Sequence, residues 1–260
     1  MDEPNPISVG FSILKALRVS RPRLEGTADG PDHRALARIL EDMDRDGLAL
    51  LPDRLDELDT YTRSLAACRP NDLSRDAALA YWLNLYNAGA LTLAGETFAT
   101  RQSSVLRLPG AFTRQVVRVA GESLSLNDIE HGKIRRFRDP RIHSALVCGS
   151  ASCPTLRLEP YDGPGLDAQL DDQMRHFLAA GAAEVVDGRL QLSRVFLWYG
   201  ADFVRPHRMP TFVPVRRRQV ALRLAGWLST DQQQWLKADK RSVEFQSYDW
   251  GLACSVGKPA

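Results

Sequence analysis

The run Ala80-Tyr-Trp-Leu-Asn-Leu-Tyr-Asn-Ala-Gly-Ala-Leu91 constrains the fold more than any other stretch of this chain. It holds no acidic or basic residue, so it belongs in an interior, yet it carries two amides, Asn84 and Asn87. A buried amide group left without a hydrogen bond costs roughly 1–3 kcal/mol. Trp82, Leu85, Tyr86, Gly89 and Leu93 fall at helical spacing. The pattern predicts a core helix from a Ser74 cap to about Phe98, with both amides on one face. They either pin neighbouring backbone or face a site. Gly89 is expected to let another element approach closely.

Two amphipathic helices are predicted before this one, over residues 32–47 and 52–67. After Pro109-Gly110 the period changes. Residues 115–120 alternate like a strand and turn at Gly121-Glu122 into 123–126. Ser125 and Asp128 have capping-box spacing for a short helix over 128–136. Residues 142–147 read as a buried strand, 149–154 as a tight loop and 166–180 as a helix. A second hairpin turns at Asp187-Gly188. The aromatic segment 193–204 follows, then a helix over 211–228 and a strand over 243–248. Helices first and a small antiparallel sheet after, with helices packed on it, define an α+β fold. Prolines and a Gly/Asp-rich end mark residues 1–31 as a flexible arm. Residues 32–256 form one domain.

A net charge of +2 and the lack of a nucleic-acid motif exclude no partner by charge alone but give no reason to expect nucleic acid. No stretch reaches the roughly 20 apolar residues that span a bilayer. Asp2 and Glu3 stand where a signal peptide carries positive charge, which predicts a cytoplasmic chain. The segment 7–19 reads as a loose helix packed on the domain. Four cysteines are too few for a disulfide framework at this length.

The densest polar cluster runs from Asp139 through His143 and Cys148 to Cys153-Pro154. If the strand ends before Cys148, thiol and imidazole can serve one site, and backbone N–H groups of the small-residue loop can hold an oxyanion. Cys148 or Cys153 would be the nucleophile, His143 the base, and Glu130 or an asparagine the group that orients it. A metal reading is weaker, because the spacing H-x4-C-x4-C is wider than usual zinc-ligand pairs, even with His131 or Glu130 as a fourth ligand. No metal and no cofactor are expected. Trp198 and Asp202 stand four apart, so the carboxylate can accept from the indole N–H. The arginine runs 135–138 and 216–218 read as solvated faces.

Several motifs occur in order: Trp82-x-Asn84-x-Tyr86-Asn87-Ala88, Ser125-Leu-x-Asp128-Ile-Glu130-His131-Gly132, Asp139-Pro-Arg141-x-His143-x-Ala-Leu-x-Cys148, Ser152-Cys153-Pro154, Trp198-Tyr199-x-x-Asp202-Phe203 and Tyr248-Asp249-Trp250. Together they resemble domain-of-unknown-function family 547 over roughly residues 35–252. The resemblance implies a fold and a motif set more than an activity. It carries Asn84, Asn87, Glu130, His131, His143, Cys148 and Cys153 over as recurrent polar residues. Many family members look exported and plant members carry leucine-zipper regions; neither feature is seen here. The outline is also similar to papain-like and transglutaminase-like folds, where a cysteine sits on the central helix that here offers Asn84 and Asn87. The leading expectation is a thiol-dependent hydrolase or acyltransferase acting on an amide or thioester. The alternative is a non-catalytic domain that binds a small molecule, peptide or protein, in which Asn84, Asn87, Glu130 and His143 form a recognition pocket or a structural network, with His131, Trp198 and Asp202 as further binding residues.

Overall fold

A computed structural model describes residues 11, 13–211, 213–237 and 242–257. Helix α1 (Arg34–Asp46) is followed by a 3-10 segment, Leu48–Arg54, and by α2 (Leu55–Ala66). The central helix α3 (Arg75–Ala99) begins where Ser74 Oγ accepts from the Ala77 N–H, and it is buried along most of its length. That burial explains its composition. A helix covered on all sides has no use for a polar face, so alanine, leucine and aromatics run round it without a stripe. Gly89 is the close-approach position: a Cβ there would lie 2.8 Å from Leu126 Cδ2.

Beyond α3, strands β1 (Gln115–Val119) and β2 (Glu122–Ser125) form the expected antiparallel hairpin. Ser125 then caps the next helix reciprocally. Its N–H donates to Asp128 Oδ2 at 2.9 Å and its Oγ accepts from the Asp128 N–H at 3.2 Å. This helix is a wide turn, Asp128–Lys133, that tightens into a 3-10 turn, Ile134–Phe137. Helix α4 (Leu166–Phe177) leads to β3 (Ala183–Val186) and β4 (Arg189–Leu192). Asp187 and Gly188 at their turn both have positive φ, 49° and 71°, as an Asp-Gly hairpin requires. Two helical turns, Val195–Trp198 and Gly200–Val204, precede α5 (Arg217–Leu224), α6 (Thr230–Lys237) and β5 (Val243–Phe245).

The architecture is α+β, with a helical first half. The strands form two small sheets rather than one, and β5 pairs with β4 in parallel. Residues 142–147 are not a strand. Ile142–Ala145 is a helical turn and only the residues after it are extended. Short buried apolar runs do not distinguish the two by pattern. Here Asp139 Oδ1 accepts the Arg141 N–H at 3.0 Å in the turn before it. His143, expected within that strand, stands on this turn instead.

One hydrophobic core surrounds α3, and a second lies among β3–β5, the 195–204 turns and α5. Helix α4 contributes to both, with Leu166 and Leu170 in the first and Met174 and Phe177 in the second. Of the arm, residues 1–10 and 12 lie outside the described residues. The rest is docked on the domain. Ala16 is buried, Arg136 Nη2 donates to Leu17 O, and Lys133 Nζ donates to Ser20 O at 2.8 Å. Among the described residues no helix is long and apolar enough to cross a membrane.

Candidate functional site

The two amides of α3 act on backbone. Asn84 Nδ2 donates to Tyr161 O at 2.7 Å, and its Oδ1 accepts the Tyr161 N–H at 3.0 Å. Asn87 Nδ2 donates to Ala145 O at 2.9 Å, and its Oδ1 accepts the Val147 N–H at 3.2 Å. Each side chain thus imitates a neighbouring peptide group and meets two backbone groups that burial would otherwise strand. Asn87 thereby fixes the three residues just before Cys148.

A closed polar network fills the space beside α3. Glu130 is 7% exposed and accepts from Tyr199 OH at 2.6 Å and Tyr86 OH at 3.3 Å. Arg135 and Asp202 are both fully buried. The guanidinium grips the carboxylate through Nε–Oδ2 at 2.8 Å and Nη2–Oδ1 at 3.0 Å, and Nη2 also donates to Thr211 O. His143 Nε2 donates to Asp202 Oδ2 at 2.9 Å, since a carboxylate only accepts. Tyr199 stacks on the His143 ring at 3.9 Å. Arg135 Nη1 donates to His131 Nδ1 at 3.3 Å, which makes His131 a neutral ring with its hydrogen on Nε2.

Electrostatics agree with this geometry. Burial works against ionising Asp202, but His143 and Arg135 outweigh it and pull its pKa down to about 2. Burial opposes ionising Glu130 too, yet His131, the Tyr199 hydroxyl, His143 and Arg135 hold its carboxyl below the usual range. Burial lowers the His131 ring to about 4.

A second cluster lies at the loop after His143. Cys148 and Cys153 are free and half-buried. The Cys148 N–H donates to Cys153 Sγ at 3.0 Å. Tyr248 OH stands 3.2 Å from each sulfur. Ser150 Oγ lies 2.8 Å from Cys148 Sγ and 3.5 Å from Cys153 Sγ, and it donates to Tyr248 OH at 3.0 Å. Burial disfavours a charge on Cys153, but its bonds from Cys148, Tyr248 and Ser150 prevail and bring its pKa down to about 6. The bond with Cys153, and then burial, push the Cys148 thiol well above the ordinary range. Burial and the two sulfurs push the Tyr248 phenol up as well, so it remains a donor.

Cys153 lines a pocket of about 550 Å³ together with Ser152, Thr155, Phe177, Gly181 and Gln246. The C-terminal segment forms the rim. Ala151 N–H donates to Gly251 O and Ser152 N–H to Asp249 O, while Cys153 N–H donates to Ser150 O. Trp198, Tyr248 and Trp250 pack together, with Trp198 stacked on Trp250 at 5.6 Å.

The residues singled out from sequence therefore divide in two. Glu130, His131, His143 and Asp202 share one network, Cys148 and Cys153 another. Among the described residues no hydrogen bond joins either imidazole to either thiol. Asp202, not Glu130 or an asparagine, orients His143. Nor does Asp202 meet Trp198: one helical turn ends at Trp198 and the next starts at Gly200, so the four-residue spacing carries no shared face. Of the Gly149–Ser152 N–H groups expected to hold an oxyanion, those of Ala151 and Ser152 are already bonded. Arg135, part of a run that looks solvated, is fully buried; its place four residues after His131 is the available signal. Tyr86, Tyr199, Ser150 and Tyr248 join the two clusters as well, and the three tyrosines lie inside the recurrent motifs. Among the described residues no group of three or more His, Cys, Asp or Glu side chains is arranged to hold a metal ion.

Fold and site thus define an α+β chain with a polar network beside its central helix and a paired-thiol loop after His143. Residues 70–178 match the model of the family described as protein of unknown function, DUF547, so this segment is similar to that family. The match holds α3, the network residues up to His143 and both loop cysteines. It stops short of the 35–252 span read from the motifs, and Asp202, Trp198 and Tyr248 lie beyond it. No curated protein and no solved structure matches the chain.

Proposed function

We propose that this domain is a thiol-dependent hydrolase or acyltransferase in which Cys153 attacks the carbonyl carbon of an amide or thioester bound in the 550 Å³ pocket. The observation that carries the reading is Cys153 itself: a half-buried sulfur facing that pocket, bonded by several donors, with its pKa lowered to about 6. Such a sulfur is largely thiolate at neutral pH and needs no separate base. Attack forms the C–S bond and breaks the bond to the amine or thiol leaving group, which takes a proton. Cys148 and Tyr248 both stay protonated beside the sulfur and are the nearest donors for that proton and for the developing oxyanion. Water or an acceptor then releases the acyl group. His143 serves as a positioning residue. Its bond to Asp202 and its stacking on Tyr199 anchor the start of the loop.

The test is alkylation of the native chain with iodoacetamide across pH, mapped by peptide mass spectrometry. Cys153 should react first, with a rate profile turning near pH 6. A small acetyl thioester should add one acetyl group to Cys153. If Cys153 reacts no faster than Cys254, whose thiol burial pushes up to about 12, the reading fails. The second reading, a non-catalytic binding domain, draws support from the closure of the Glu130–Asp202 network, in which no imidazole reaches a thiol. It predicts reactive Cys153 without any acetyl transfer.

A further inference from the structure

The acyl-transfer reading uses one nucleophilic sulfur, and the loop holds two. Cys148 and Cys153 face each other across Gly149-Ser150-Ala151-Ser152. The 3.0 Å bond from the Cys148 N–H to Cys153 Sγ places that sulfur within about 4.5 Å of the Cys148 Cα, given an N–Cα bond of ~1.46 Å. Both sulfurs also share one phenol, with Tyr248 OH 3.2 Å from each. Disulfides need Cα atoms roughly 4.4–6.8 Å apart, a span this loop allows. Gly149, with φ +74°, gives the backbone between them the left-handed turn that brings the ends together.

We infer that Cys148 and Cys153 are a peroxide-oxidised dithiol, with Cys153 the attacking and Cys148 the resolving sulfur, whose disulfide takes the nucleophile out of use. Cys153 opens onto the pocket, so a peroxide reaches it first. Its sulfur attacks one peroxide oxygen. An S–O bond forms, the O–O bond breaks, and the second oxygen leaves with the electron pair and takes a proton to become water or an alcohol. Sulfur is oxidised by two electrons to a sulfenic acid and the peroxide is reduced. Cys148 Sγ then attacks the sulfenic sulfur. The S–S bond forms, the S–O bond breaks, and the oxygen leaves as water with the thiol proton. A small dithiol reverses the reaction by exchange. The lowered pKa of Cys153 supports the order of events, and Cys68 and Cys254, whose thiols burial pushes up, are internal controls.

The loss of activity rests on the acyl-transfer reading, whereas disulfide formation does not. The full chain is treated with stoichiometric hydrogen peroxide, denatured with iodoacetamide and mapped without reductant. A Cys148–Cys153 cross-link is expected, with Cys68 and Cys254 still alkylated, and dithiothreitol should restore both thiols. In Cys148→Ser the reaction should stop at a sulfenic acid on Cys153, trapped by dimedone. In Cys153→Ser, oxidation of Cys148 should slow by about tenfold or more. If native Cys153 is alkylated ahead of Cys254 but peroxide gives neither cross-link nor dimedone adduct, the dithiol inference falls and the nucleophile stands. If the cross-link forms but the reduced protein takes no acetyl group from the thioester, the dithiol stands and acyl transfer falls.

Discussion

The polar network and the thiol loop are built from neighbouring stretches of the same chain, yet they are opposite in character. Arg135 and Asp202 are fully buried, and each oxygen and nitrogen of their fork meets a partner. Cys148 and Cys153 are half-buried, and Cys153 Sγ accepts from the Cys148 N–H and from Ser150 Oγ while Tyr248 OH stands beside both sulfurs. The first arrangement can only lose by being changed. It also ties Arg135, beside the α3 core, to Asp202, within the second core. The second keeps a charged or readily charged atom next to open space. Polar residues in a motif therefore stand in two settings here, sealed inside the chain or beside open space, and their burial tells which.

The sharpest way to break this comparison is to cut the fork. Asp202→Ala leaves Arg135 buried without its carboxylate and should cost about 3–5 kcal/mol in urea unfolding. It should slow Cys153 alkylation only if the loop loses its anchor. A loss below 1 kcal/mol would remove the holding role.

Acid should act on the network next. The folded His131 ring titrates near 4, below its unfolded value. Stability is therefore complete above about pH 6.5 and falls between about 6.5 and 4, by roughly 3 kcal/mol from this ring. Asp202, lowered to about 2, adds a further loss below its unfolded value near 3.8. His33, also lowered to about 4, shares the first window, so His131→Gln should flatten part of the decline. Urea midpoints that stay level from pH 7 to 4.5 contradict this.

Asn87→Leu comes third. It strands Ala145 C=O and Val147 N–H, at about 2 kcal/mol in all. Because these residues lead into the loop, Cys153 alkylation should also change. Unaltered midpoint and reactivity would mean the amide holds nothing.

Tyr248→Phe sharpens the other side. It removes one donor shared by both sulfurs and should cost under ~1 kcal/mol. The Cys153 alkylation profile should shift to higher pH, with slower labelling at pH 7. A large loss of stability with an unmoved profile would make Tyr248 a holding residue after all.

Much of the fold is legible because local chemistry dictates it. The Ser74 cap, the Ser125–Asp128 box and the Asp187-Gly188 turn each satisfy groups within a few residues of themselves. Segment 142–147 was read as a strand because a short apolar run carries no period that separates a buried strand from a helical turn. Arg135 looks exposed in sequence because a run of three basic residues looks solvated, and the carboxylate that pairs with it, Asp202, lies 67 residues away.

By itself, then, the sequence determined that Asn84 and Asn87 must find partners inside a buried helix, and that thiols, imidazoles and carboxylates gather in the motifs around it. Residue type and spacing settle such demands, because an unmet polar group is costly wherever it is buried. Only the tertiary structure decided who answers them. Backbone at 145–147 and 161 meets the amides, Asp202 takes His143, and Tyr248 meets both cysteines. Those pairings span from about sixty to a hundred residues. They depend on how the two cores pack together, which no local pattern records.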